Sequence, residues 1–208
     1  PLQRLIQQPQ ISNNDKEKLE VIYRNANRMN YLINELLTFS KIEMKQMHIS
    51  VRKGDIMHFL EELSHIFDIV AGEREIDFIV SLEDTKEEVW FSPSKLERIL
   101  YNLLSNAFKY TQPGGYVRLS AKLIKEEKET MVQISVKDSG RGIPKDVQEQ
   151  IFESYYQVEK RDHREGFGLG LSLTRSLIHM HKGEIRVESE VNKGSDFIVT
   201  LNVSEAAY

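Results

Sequence analysis

The sequence predicts an α+β fold, a two-layer sandwich with helices over one face of a sheet, preceded by a helical hairpin. Three observations carry that prediction. Short β-like runs arrive in successive pairs, 76–82 with 87–91, 115–124 with 131–137, and 184–189 with 196–203. Segments with apolar residues at three- and four-residue spacing lie between them, at 55–71, 93–109, 144–152 and 169–181. A sustained seam of helical spacing precedes both, over 15–45.

In chain order, residues 1–8 (PLQRLIQQ) read as the end of a helix that stops near Pro9. Asn13 and Asn14 break what precedes them, and Ser12 to Asp15 offer a capping start for a second helix. Within it Leu19, Ile22, Ala26, Met29, Ile33, Leu36 and Ser40 step alternately by three and four. Tyr23, Leu32 and Leu37 widen that seam, which suits a four-helix bundle better than a two-stranded coil. From 47 onward strands and helices mix, beginning with a strand at 48–52 and a helix at 55–71. The strands at 76–82 and 87–91 then lead into the helix 93–109. "QPGGY" at 112–116 is a turn feeding the strand 115–124, and the charged "IKEEKET" joins it to 131–137 as a hairpin. Helices at 144–152 and 169–181 and two closing strands complete the domain. The boundary between hairpin and sandwich falls at 46/47.

The 208 residues, 40% apolar and 29% charged, can bury a substantial core. A net charge of −4 with interspersed signs argues against nucleic-acid binding. The absence of cysteine excludes disulfides, zinc–thiolate sites and cysteine catalysis. No apolar run approaches the ~18 residues of a membrane span. The sequence starts at Pro1 rather than Met, so it is expected to be a piece of something longer.

Three motifs carry chemistry. In "ERILYNLLSNAFKYT" (97–111), Asn102, Asn106 and Lys109 fall within about 60° of one another beside the apolar stripe. Amide oxygens ligate hard cations such as Mg²⁺ and an ammonium neutralises phosphate, although a solvated polar face has the same pattern. In "VKDSGRGIP" (136–144), an apolar strand ends in Asp138, Gly140 and Gly142. Glycines admit a flat ligand close to the backbone and a carboxylate accepts from an exocyclic amino group; a plain hairpin turn would read alike. In "EGFGLGLSLTRSLI" (165–178), Gly166, Gly168 and Gly170 alternate just before a helix, where backbone N–H groups suit anionic phosphates. No Gly-Lys-Ser/Thr follows, so this is not a Walker loop.

Together and in this order, the motifs resemble the histidine-kinase catalytic domain of the GHKL ATPase superfamily. "NLLSNAFKYT" is similar to its N box, "DSGRGIP" to its first glycine box, "IFESYYQV" to its F box and "GFGLGLSL" to its second glycine box. "HKGEIRVESEVNKGSDFIVTL" resembles the closing strands, with Gly194 and Ser195 in the last turn. Upstream, "KLEVIYRNANRMNYLINELLTFSKIE" resembles the second helix of the dimerisation and phosphotransfer hairpin, and "PLQRLI" the tail of the first. The resemblance spans the chain and is greatest to hybrid sensor kinases of two-component systems.

It implies a Bergerat-type ATP-binding fold over 47–208, behind a truncated hairpin over 1–46. It also implies ATP and Mg²⁺ as ligands. Asp138 would accept from the adenine amino group, with Gly140, Gly142 and Ile143 shaping that wall. Asn106 would ligate Mg²⁺, supported by Asn102, while Lys109 and Tyr110 contact phosphate or ribose. Gly166, Gly168, Leu169, Gly170 and Leu171 would cradle the phosphates. Residues 153–166 would form a lid, with Phe152 and Tyr155 or Tyr156 packing as it closes. The implied partners are a second copy in the full-length protein and a response-regulator receiver domain, with no nucleic acid. The implied location is the cytoplasmic portion of a membrane-anchored bacterial sensor, any membrane contact being made through other segments.

Two departures stand out. None of His48, His58, His65, His163, His179 and His181 lies in an H-E-x-x-T-P acceptor sequence, so all six read as structural or surface histidines. The acceptor is expected upstream of Pro1, and this stretch is expected to bind nucleotide without phosphorylating itself. Ser92 and Ser94 stand where related kinases often carry aspartate, and serine is expected to serve the helix cap equally. Two other readings compete with kinase activity. A water-using ATPase of the same superfamily, as in gyrase, would carry glutamate where this chain has Asn102, an amide that takes up no proton at neutral pH. A non-catalytic dimerisation module would have a degenerate nucleotide site.

Overall fold

The computed structural model describes residues 13–44, 46–127, 129–157 and 168–208. The helix end expected over 1–8 lies outside them. Helix α1 (Asn13–Glu43) carries Asp15 in its first turn and Lys41 in its last, charges that complement its dipole. Along it Val21, Ile22, Met29, Ile33, Leu36 and Leu37 are about half or more exposed. Its C-terminal half meets the rest of the chain: Ile42 packs against the core, and Arg98 Nη1 donates to Thr38 Oγ1 at 2.8 Å.

Strand β1 (Arg52–Asp55) leads into α2 (Ile56–Ser64), whose first turn is capped by Asp55 Oδ1 accepting from His58 N–H at 3.0 Å. Helix α3 (Ile66–Arg74) follows. The single helix expected over 55–71 is therefore broken. The Ser64 hydroxyl donates to Glu61 O at 2.7 Å, the same carbonyl that receives His65 N–H at 3.3 Å, and this competition loosens the turn. The strand expected at 48–52 lies later, because β1 pairs antiparallel with the four residues of β3 (Glu88–Phe91) from Arg52↔Phe91 to Asp55↔Glu88.

The main sheet has five strands in the order β2 (Asp77–Leu82), β4 (Tyr116–Lys125), β5 (Thr130–Asp138), β7 (Gly194–Asn202), β6 (Glu184–Glu190). β2 runs parallel to β4 and the remaining pairs are antiparallel. Helices α4 (Pro93–Tyr110) and α5 (Gly170–Met180) cover one face. On β5, Val132, Ile134 and Val136 point into that layer at alternate positions, facing Leu201, Val199 and Phe197 of β7. From α4, Leu96, Ile99, Leu100, Leu103, Leu104, Ala107 and Phe108 fill the space between, each larger side chain contributing about 1.5–3 kcal/mol by burial. Phe108 stacks on Phe67 at 5.5 Å between ring centres and meets Phe78 edge-on at 5.3 Å.

His181, fully buried after α5, ties the two covering helices together. Its Nδ1–H donates to Leu177 O at 3.0 Å, leaving Nε2 to accept from Ser92 N–H at 3.3 Å. Burial pushes the imidazole below its ordinary pKa, which keeps it in that neutral form. Ser92 does not cap α4 with its side chain; its buried hydroxyl has no hydrogen-bond partner among the described residues, contrary to expectation. Nor does 144–152 form an α-helix. It makes two single 3₁₀ turns, Lys145–Val147 and Gln150–Phe152, and only Ile151 and Phe152 of them are buried. So short an apolar face cannot hold a longer helix.

Candidate functional site

Three pieces of chain converge on the site: the second half of α4, the end of β5 with its following loop, and the start of α5. Asp138 continues the inward row of Val132, Ile134 and Val136, so the strand's alternation places a carboxylate where the preceding residues are apolar. It is 4% exposed, and its Oδ1 accepts from Gly140 N–H at 2.8 Å. Burial pushes its pKa up; the N–H groups of Gly140 and Ser195 hold it down in part, and the nearby Asp196 charge adds to the rise.

The loop after Asp138 is fastened to the β6–β7 turn. Gly142 has φ +68, and a Cβ there would lie 2.0 Å from Glu190 O, so only glycine fits. Ile143 N–H donates to Ser189 Oγ at 2.8 Å, and Asn192 N–H to Arg141 O at 2.7 Å. Gln148 Nε2 bridges Ile143 O and Ser189 O at 2.9 and 2.8 Å.

The same loop reaches α4 through Tyr110. The Arg141 guanidinium lies 4.6 Å from the Tyr110 ring centre, and Lys109 Nζ lies 4.8 Å from it while donating to Tyr110 Oη at 3.2 Å. One turn earlier, half-buried Asn106 makes no side-chain hydrogen bond among the described residues. Asn102, a further turn back, is buried, and its Nδ2 donates to Thr174 Oγ1 at 2.7 Å. A Cβ on Gly170 would stand 2.6 Å from Asn102 Oδ1, so the absence of a side chain lets α4 and α5 approach.

Leu169, at the N-cap of α5, caps it with no side-chain hydrogen bond. Buried Leu169 instead accepts from Leu173 N–H and Ser172 Oγ at its carbonyl, both at 2.9 Å, and Leu171 packs against the core. Gly168 O accepts from Tyr155 N–H at 2.9 Å, which joins the glycine segment to the residues after β5. Phe152 is buried edge-on to Phe197, Tyr156 packs on the core, and Tyr155 is 61% exposed. Gly166 and the rest of the expected lid beyond Gln157 lie outside the described residues.

Asp138, Gly140, Gly142, Ile143 and Tyr110 are thus brought together on one side, and Asn102 with Gly168, Leu169, Gly170 and Leu171 on the other. Asn106 lies between them along α4. A cleft of about 180 Å³ opens where α1 passes Asn102 and Gly170, lined also by Asn34, Arg98, Tyr101, Leu173 and Thr174. Asp138 does not line it. Among the described residues no group of three or more His, Cys, Asp or Glu could hold a metal. The Asn106 amide has an oxygen of the kind that a hard cation takes.

Sequence reasoning missed Thr174, Gln148, Arg141 and Ser189. Thr174 could have been found, because it lies four residues after Gly170 on the same helical face. The roles of the others depend on chain crossings that spacing does not reveal.

Residues 91–205 match the family described as Histidine kinase-, DNA gyrase B-, and HSP90-like ATPase. Histidine kinase P4 of Formosa agariphila is 34% identical over 206 residues, 97% of this chain and 15% of that protein's length. The fold is shared with full-length ShkA in complex with AMPPNP, at a TM-score of 0.82 and 23% identity over 97% of this chain and 42% of that one. It is shared also with histidine kinase ThkA in complex with the response regulator protein TrrA, at a TM-score of 0.71 and 20% identity over 98% of this chain and 55% of that one.

Proposed function

Since the chain belongs to the histidine kinase-, DNA gyrase B- and HSP90-like ATPase family, we propose that it is the ATP-binding catalytic region of a sensor histidine kinase. It would transfer the ATP γ-phosphoryl group to a histidine outside residues 1–208, in two-component signalling. One observation supports this reading above the rest. A buried carboxylate, Asp138, closes an apolar strand row beside a loop whose backbone is fixed by Ser189 and Gln148. That is the arrangement needed to read an exocyclic amino group.

In this proposal Asp138 accepts from the adenine amino group, and the loop from Gly140 through Gly142 to Ile143 forms the wall beside it. Lys109 and Tyr110 bind phosphate or ribose. The segment from Gly166 through Gly168 to Gly170, with the amides at Leu169 and Leu171, receives the phosphates at the N-terminus of α5. Mg²⁺ bound at Asn106 would neutralise charge on the phosphate oxygens. In the transfer the bond from the γ-phosphorus to the β,γ-bridging oxygen breaks, a phosphorus–nitrogen bond forms to a neutral imidazole, and ADP departs. The protein's part is positioning and charge neutralisation.

Asn102 favours transfer over hydrolysis. A water-using relative needs a base there, but this buried amide takes up no proton and its nitrogen is engaged by Thr174. The acceptor is placed outside the chain because none of its histidines lies in an H-E-x-x-T-P sequence. We assign 1–46 to the dimerisation and phosphotransfer helices and 47–208 to the catalytic domain. The partners would be a second copy, through the exposed apolar face of α1, and a response-regulator receiver domain. Among the described residues no helix is long and apolar enough to cross a membrane. The proposed setting is the cytoplasmic part of a membrane-anchored bacterial sensor.

Isothermal titration with Mg·ATP tests the reading. The wild type should bind, Asp138→Asn should not, and a supplied helix bearing H-E-x-x-T-P should become phosphorylated. Absence of binding would leave a scaffold module, and rapid turnover without an acceptor would indicate an ATPase.

A further inference from the structure

We propose that Ser189 and Ser195 form a hydroxyl pair that positions Asp138 and the 139–143 loop together for adenine recognition. The inference rests on the nucleotide reading above and adds two residues to which that reading gave no role. Ser189 Oγ lies 2.8 Å from Gly194 O, 2.8 Å from Ile143 N and 3.0 Å from Ser195 Oγ. A carbonyl can only accept, so the Ser189 proton goes to Gly194 O. An N–H can only donate, so Ser189 accepts from Ile143. With its one proton committed, Ser189 accepts from the Ser195 hydroxyl as well. One donor and two acceptor sites are then fully used, and the orientation of the Ser195 hydroxyl is set.

Ser195 stands opposite Asp138 in the β5–β7 ladder, and its N–H donates to the Asp138 carboxylate. A continuous chain therefore runs from the carboxylate through Ser195 and Ser189 to the backbone of Ile143. Gln148 closes it from the other side by bridging Ile143 O and Ser189 O. Ser195 is 6% exposed and Ser189 is half-buried, so water is a poor substitute for the lost hydroxyl. The pair couples the group that would read the base to the far end of the loop that would flank it, at Ile143, while the Asp138 carboxylate itself holds the near end through Gly140 N–H.

A merely structural role would weaken all nucleotides alike, whereas positioning of Asp138 alters choice between bases. The test compares ATP with inosine triphosphate, which lacks the amino group, by titration calorimetry. The wild type should prefer ATP. Ser189→Ala should lower the ATP:inosine triphosphate affinity ratio on the order of tenfold, because Ile143 N–H and Gly194 O lose their partner. Ser195→Ala keeps the N–H to Asp138 and should lower the ratio by about threefold. If Ser189→Ala fails to fold, the Ser195 variant decides. An unchanged ratio in a folded variant overturns the proposal, including when both affinities fall equally. A wild type that binds no ATP overturns the nucleotide reading, and this inference with it.

Discussion

Asp138 is a carboxylate held where its neighbours along the strand are Val132, Ile134 and Val136, and that location has a cost. Burial raises its native pKa above the ordinary 3.8, against the opposing effect of two backbone N–H groups. Between 3.8 and the native value the unfolded chain therefore binds fewer protons than the folded one. Stability contributed by this group is present below 3.8 and is lost as pH rises through the raised value. Asparagine has the same shape and does not titrate. The difference in unfolding free energy between wild type and Asp138→Asn, measured by urea at several pH values, should shift against the wild type as pH rises through that window. A difference that stays flat would show that the native carboxylate titrates normally. The same variant should lose nucleotide, so stability and binding pull in opposite directions at one residue.

At the site, the approach of α4 to α5 depends on one hydrogen bond and one missing side chain. Asn102 Nδ2 donates to Thr174 Oγ1, and Gly170 leaves room for the amide. Thr174→Val removes the acceptor and keeps the bulk, stranding a buried N–H at a cost of about 1–3 kcal/mol. Urea unfolding should register that loss, and Thr174→Ser should recover most of it; unchanged stability would mean that Asn102 finds another acceptor. Elements were legible in the sequence where periodicity was long. The strand expected at 76–82 starts one residue later, at Asp77–Leu82, the one at 115–124 is displaced by one residue to Tyr116–Lys125, and α4 extends one residue past the expected 109. Periodicity failed where a side chain competes for the backbone, as at Ser64, or where too few apolar residues reach the core, as at 145–152. In the site, residue types and their order named Asn102 and Asp138. The partners that hold them are distant along the chain: Thr174 lies 72 residues from Asn102, and Ser195 lies 57 residues from Asp138. Local spacing carries no information about such crossings.

For the molecule as a whole, the unresolved balance lies in α1. Its 31 residues span about 46 Å, and Thr38 and Ile42 anchor it near its C-terminus. Along the rest of its described length Val21, Ile22, Met29, Ile33, Leu36 and Leu37 remain 46–64% exposed. A helix gains most of its stability from packing an apolar face, so this one calls for a further surface. The heptad-like seam through Ile22, Met29, Ile33 and Leu36 is suited to a second copy of itself, the dimer proposed above. Analytical ultracentrifugation should then find the chain self-associating. Met29→Glu with Leu36→Glu places charge in the middle of the seam and should give a monomer at concentrations where the wild type is dimeric. The sandwich makes its own core, so the variant's strand signal in circular dichroism should persist. A wild type that stays monomeric, or a double variant that still pairs, would move the dimer contact away from this face.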